Sequence, residues 1–282
     1  MGSLHPKFAI LIVSAILVLS AFPVSAMYDT KIIDGQLFDW TSSDVVAIGL
    51  DSGKDGANLD KLYVAWDENY LYIALKTNNT ASWNVAYGIG IDVDPGEGTG
   101  YTGDTDAWGR KIKFANGFGL EFEIYFWWGW DSGMGPHNFI KWTGNGWEYK
   151  SINDIGGSYA YTGDTNTGLQ TLEIKIPWSV LGGKKSKFAI IAWVVGGEGS
   201  SAVDTAPADP AVGDSENEWT DDDTFTGLYL EEWFLMSDLT VSISGPQAIG
   251  INRMAEYTVY VKNEGSLDVT GRRPRREYMK LK

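Results

Sequence analysis

The chain has 282 residues, a formal net charge of −15, 13 tryptophans, 14 tyrosines, 11 phenylalanines and no cysteine. The missing thiols exclude disulfides, thiolate metal sites, iron–sulfur clusters and cysteine nucleophiles. The acidic balance repels phosphate backbones, so no nucleic acid is expected as partner, and the aromatic load is too heavy for a disordered acidic chain.

Residues 1–26 have the grammar of a cleavable signal peptide. Lys7 precedes an apolar run over 8–22, and Val24-Ser25-Ala26 supplies small residues around a cleavage point. The run is shorter than the roughly 20 residues a spanning helix needs. An extracellular or cell-surface location follows, with no integral membrane segment once the signal is removed.

Residues 27–237 alternate with period two, the mark of strands with two unlike faces. Leu62, Val64 and Trp66 share a face; so do Leu71, Ile73 and Leu75. Tyr87, Ile89, Ile91 and Val93 share another, with Gly88 and Gly90 leaving the opposite face bare. Leu120, Phe122, Ile124 and Phe126 point one way, and Glu121, Glu123 and Tyr125 point the other. Leu172, Ile174 and Ile176 repeat the pattern, and 188–195 is nearly all apolar, as in a strand buried on both faces. Turns such as Asp67-Glu68-Asn69, Thr143-Gly144-Asn145-Gly146 and Gly156-Gly157 punctuate these runs. Helix is expected only over 177–181, with a proline at its start and Gly182-Gly183 at its end. The fold class is all-β, an antiparallel β-sandwich.

From Asp238 the pattern changes. Strands over 239–243 and 257–261, with a Gly245-Pro246 turn between them, look like the opening of an immunoglobulin-like module. Residues 238–271 are too few to bury a sandwich core. Residues 272–282 are basic. We expect a truncated or frame-shifted fragment of a longer protein; the alternative is a basic tail that touches an acidic surface.

Several landmarks fall in order: Ile33-Asp34-Gly35 before Asp39-Trp40; Trp66-Asp67-Glu68-Asn69-Tyr70-Leu71-Tyr72-Ile73; Ile91-Asp92-Val93-Asp94-Pro95-Gly96; Glu173-Ile174-Lys175-Ile176-Pro177-Trp178; and an acidic loop, Asp204-Thr205-Ala206-Pro207. Over roughly 30–235 this order resembles the glucodextranase C-terminal domain, a DOMON-like sandwich related to the family-nine carbohydrate-binding modules. It is most similar to the copies appended to archaeal pullulanases and amylopullulanases. The resemblance implies a β-sandwich, calcium sites and association with α-glucans or the cell surface. The hydrolase domain of those enzymes has no counterpart here.

The residues themselves offer two sites. Asp92 and Asp94 leave one face of a strand end, and Asp104 and Asp106 follow in a glycine-rich loop. Calcium takes six to eight hard oxygens on a pliable loop, so these four aspartates are the candidate ligands. A second acidic run, from Asp214 to Asp223, reads more as a solvated loop. Trp127, Trp128, Trp130, Trp142 and Trp147 form the second site, a platform for sugar rings, whose C–H faces lie on aromatic plates.

Catalysis is not expected. Glu121 and Glu123 sit side by side on one strand, about 6.5 Å apart, and cannot flank a glycosidic bond from opposite sides. A haem reading would need Met134 and His137, too close in one loop to reach both faces of a porphyrin. The expected function is therefore a secreted carbohydrate-binding module for α-glucans of the starch or pullulan type, accessory to an extracellular glycoside hydrolase. Its partner is a poly- or oligosaccharide, with a cell-surface polymer as a further partner. The rival is a structural or adhesive surface-layer component without affinity for soluble sugar.

Overall fold

A computed structural model describes residues 29–49, 57–79, 84–115, 117–185, 187–212, 223–226, 229–232, 239–244 and 258–263. The expected signal peptide, the basic tail and nearly all of the second acidic run lie outside them.

Two antiparallel sheets form the sandwich. The first runs in the order β1 (Val45–Ile48), β2 (Leu59–Trp66), β3 (Tyr70–Thr77), β10 (Gly168–Pro177), β9 (Ser158–Asp164). The second runs β12 (Ala202–Ala206), β11 (Lys187–Val195), β4 (Val85–Asp92), β6 (Phe122–Gly129), β7 (Gly133–Trp142), β8 (Trp147–Lys150). A further strand, β14 (Tyr229–Glu232), pairs with the first half of β11. A short parallel pair joins β5 (Ile112–Phe114) to β13 (Asp223–Phe225). Separately, β15 (Leu239–Ser244) pairs antiparallel with β16 (Thr258–Asn263), with Val241 opposite Val261. The expected helix is a single 3-10 turn, Trp178–Leu181, entered through Pro177 and left through a left-handed Gly182.

The period-two faces meet as the alternation requires. Leu62, Val64, Leu71, Ile73, Leu172 and Ile174 from the first sheet pack against Ile89, Ile91, Ile124, Phe126, Ile190 and Ala192 from the second. The outer faces are covered as well. The segment before β1 lays Trp40, Ile33 and Leu37 over Tyr63, Tyr72 and Ala74 of the first sheet. The segment between β4 and β6 lays Ile112, Phe118 and Leu120 over Tyr125, Ile191 and Trp193 of the second. Here the bare strip of β4 finds its purpose. A Cβ on Gly88 would stand 2.3 Å from the Trp193 indole, so that ring lies directly on the backbone. The acidic loop expected at 204–207 is instead mostly strand: Asp204 is buried in β12 and accepts the Leu59 N–H at 2.7 Å.

Candidate functional site

The outer face of the second sheet carries a groove of about 910 Å3. Its aromatic walls are Tyr101, Trp108, Trp127 and Trp147; its polar lining includes Thr105, Asp106, Arg110 and Glu198. Three strands aim residues at this face by simple alternation: Tyr125 and Trp127 from β6, Ile140 and Trp142 from β7, Trp147 and Tyr149 from β8. The segment 101–110 crosses above them. Tyr101 is fixed by a two-bond bridge to Leu120, both bonds 3.0 Å. Its ring then sits 4.9 Å from Trp142 and 5.0 Å from Trp147, which pair across the β7–β8 hairpin 5.0 Å apart. Trp108 stacks on Tyr125 at 4.5 Å, with the Arg110 guanidinium 4.7 Å from the Trp108 ring.

Beneath the groove lies a buried polar layer. The Tyr125 hydroxyl donates to Asp106, whose other oxygen accepts the N–H groups of Trp108 and Arg110 at 2.9 and 2.8 Å. Arg110 donates to the Gly196 carbonyl from two nitrogens, tying the segment to the loop after β11. Glu123 accepts the Ala107 N–H at 3.0 Å, while its second oxygen is buried without a partner. Burial first, and the Asp106 charge second, push the Glu123 carboxyl well above its usual range, which favours its protonated form. Burial also raises Asp106, against the bonds from Tyr125 and the Arg110 backbone that stabilise its charge.

The five expected platform tryptophans separate. Trp127 and Trp147 line the groove, and Trp142 adjoins it through Tyr101 and Trp147. Trp128 is a correction: one residue along the strand it faces the opposite way, is 1% exposed, and packs in the inter-sheet core. Trp130 is 56% exposed at the β6–β7 turn and lies outside the groove's lining. Tyr101 and Trp108 escaped sequence reasoning because they come from a non-strand segment with no period to place them. Glu121, Glu123 and Tyr125 have the outward phase expected, but outward here means under the covering segment, and Glu123 and Tyr125 are fully buried.

The four aspartates also divide. One carboxylate oxygen from each of Asp92, Asp94 and Glu121 lies within 4.8 Å of the other two. Thr99 bonds both Asp94 and Glu121, the latter at 2.6 Å. Asp104 is elsewhere, exposed and 3.6 Å from Lys113, and Asp106 serves the groove. The reason is the path of the chain. It turns back after Asp94 so that Thr99 and Gly100 press on Gly119, where a Cβ would stand 1.7 Å from the Thr99 carbonyl oxygen, and only then crosses to the groove. Glu121 was findable: in the β4–β6 pairing Ile91 stands opposite Phe122, so Asp92 and Glu121 are the next residues along. Burial, with the charges of Asp92 and Asp94 beside it, pushes Glu121 up to about 7, against the Thr99 bond that lowers it. Three carboxylates that repel one another on a turn are hard donors of the kind calcium takes, so the residues fit that ion.

A scan against protein-family models and a search of the curated proteins return no match. Several solved structures are similar to the chain, two of them as follows, at low identity. One is a family-nine carbohydrate-binding module from Caldicellulosiruptor kristjanssonii in complex with cellotriose, 14% identical, covering 64% of this chain and 80% of that one, with a TM-score of 0.35. The other is a family-nine module from the same organism in complex with glucose, 15% identical, covering 64% and 82%, with a TM-score of 0.33.

Proposed function

We propose that this chain is an exported, non-catalytic carbohydrate-binding module that holds an α-glucan-type oligosaccharide in the groove and serves an extracellular glycoside hydrolase. The observation that carries this reading is the groove itself: four aromatic rings, with Thr105 and the exposed Glu198 at its edge to meet sugar hydroxyls. Its volume falls in the range of small-ligand sites, roughly 300–1,000 Å3. The ordered sequence motifs support the α-glucan class, and residues 1–26 support export. The two carboxylates considered for hydrolysis do not open on the groove: Glu121 belongs to the acidic cluster and Glu123 is buried. The wild-type chain should be retarded by starch or pullulan in native gels and should bind maltotriose over cellotriose in calorimetry. Trp127→Ala and Trp147→Ala should each lose about 2 kcal/mol of binding. A chain that ignores every soluble glucan would be a surface component instead.

Calcium is proposed at Asp92, Asp94 and Glu121. When bound it would neutralise three carboxylates and tie the 94–100 turn to the start of β6. A ligand that binds only the folded state raises the unfolding temperature, so millimolar calcium should raise the melting temperature above that in chelator. Asp94→Ala should abolish the difference. Identical melting curves with calcium and with chelator would remove the proposal and leave the groove reading intact.

A further inference from the structure

The lip of the groove is the segment 105–110, and two tyrosines that help to fix its middle do not line the groove. Tyr125 lies beneath it, fully buried. Its hydroxyl accepts the Trp193 indole N–H at 2.7 Å and donates to Asp106. Asp106 in turn holds the backbone N–H groups of Trp108 and Arg110. A hydrogen-bond chain therefore runs from β11 through β6 to the backbone under Trp108. From the side, the Tyr149 hydroxyl of β8 donates to the Ala107 carbonyl at 2.6 Å. Neither tyrosine lines the groove. Tyr149 is 47% exposed, so water could satisfy its hydroxyl; burial does not demand the bond to Ala107.

We propose that Tyr125 and Tyr149 are positioning residues for the ligand groove: their hydroxyls hold the 105–110 lip in its binding geometry, so affinity depends on two groups that never touch the sugar. The inference rests on the groove reading above. The physical reason is preorganisation. A lip already fixed is not ordered at the expense of binding, whereas a loosened one must be. The rings themselves are not at issue, since Tyr→Phe keeps the stacking of Trp108 on residue 125 and removes only the oxygen.

The test uses the full-length chain with maltotriose and cellotriose as probes, and reads affinity, melting temperature and amide hydrogen exchange together. Tyr149→Phe should melt as the wild type does, bind the better probe about three- to tenfold more weakly, and exchange faster at Ala107, Trp108 and Arg110. Tyr125→Phe should show the same two changes more strongly, with some loss of stability because Trp193 and Asp106 each lose a buried partner. If Tyr125→Phe does not fold, Tyr149→Phe decides alone. Wild-type affinity and wild-type exchange over 105–110 in the tyrosine variants, with binding still lost in Trp127→Ala, would overturn the inference and spare the groove. If Trp127→Ala and Trp147→Ala bind like the wild type, both fall.

Discussion

The two outer faces of the sandwich are covered by the same device but end in different states. On the first sheet, Glu173 of β10 points outward and takes three donors from the covering segment: the N–H groups of Asp34 and Gly35 at 3.0 and 2.5 Å and the Trp40 indole at 2.6 Å. A buried ion pair, Lys31 to Asp44 at 3.0 Å, adds to the seal. On the second sheet, Glu123 of β6 also points outward, but takes only the Ala107 N–H and leaves one oxygen unpartnered. Asp106 and two tyrosines complete the hold on its covering segment. The first face is closed. The second leaves open a groove between rings that belong to the strands and rings that belong to the cover. An outward carboxylate is thus a way to grip backbone, fully satisfied on the closed face and half satisfied on the face that leaves a groove.

The largest expected effect tests whether the two sides of β6 are as different as their neighbours suggest. Trp128→Ala removes a fully buried ring from the inter-sheet core and should cost about 3–5 kcal/mol of stability. Trp127→Ala, one residue away, should cost little stability and show itself in binding. Equal destabilisation by the two, in urea titrations, would erase the distinction between core and groove. Next in size is the pair of outward glutamates. Glu173→Ala strands three donors and should cost on the order of 3 kcal/mol. Glu123→Ala strands one and should cost about 1 kcal/mol from that source. Chemical denaturation of both variants reads the difference, and matching losses would mean that the satisfied and half-satisfied carboxyls are not distinct devices.

What the sequence made legible is what has a period. Ile89 and Ile91 announce their side of β4, and Trp127 announces the outer side of β6, because neighbours two apart must share a face. The bare strip at Gly88 and Gly90 was visible too, but not its occupant: Trp193 lies about a hundred residues on, and only the β4–β11 pairing of Gly88 with Trp193 brings it across. The covering segments have no repeat. Asp104 and Asp106 therefore looked like neighbours of Asp92, although the chain turns back between them. Tyr-Thr-Gly-Asp occurs twice, at 101–104 and at 161–164, and the two copies end in different surroundings. In one copy Tyr101 walls the groove; in the other Tyr161 is paired within the β9–β10 hairpin.

The smallest effect concerns the seam between the two sheets, where polar groups have least support. His137 of β7 packs against the rings of Phe126, at 5.7 Å, and Tyr159 of β9, at 4.4 Å, which also touch each other. Its Nε2 is buried without a partner. Burial lowers its pKa below 6.5, against a hydrogen bond to the Gly135 backbone that acts the other way. Well above pH 6.5 the imidazole is neutral in both folded and unfolded chains, and it adds no pH dependence. As the pH falls below 6.5 the unfolded chain takes up the proton first, so stability declines until the folded form titrates too. Carboxyls with raised pKa, among them Glu121 and Glu123, act in the opposite direction, losing stability as the pH rises. The wild-type curve alone therefore mixes the two. Comparison with His137→Phe separates them, because the ring exchange gives an offset that does not depend on pH, while the histidine gives one that does. Urea midpoints at about pH 7.5 and about pH 5 should shift in favour of the variant at the lower value. A constant offset across that window would mean that the seam admits water or a counter-charge to Nε2, and that the interior between the sheets is no drier than the covered face beneath the groove.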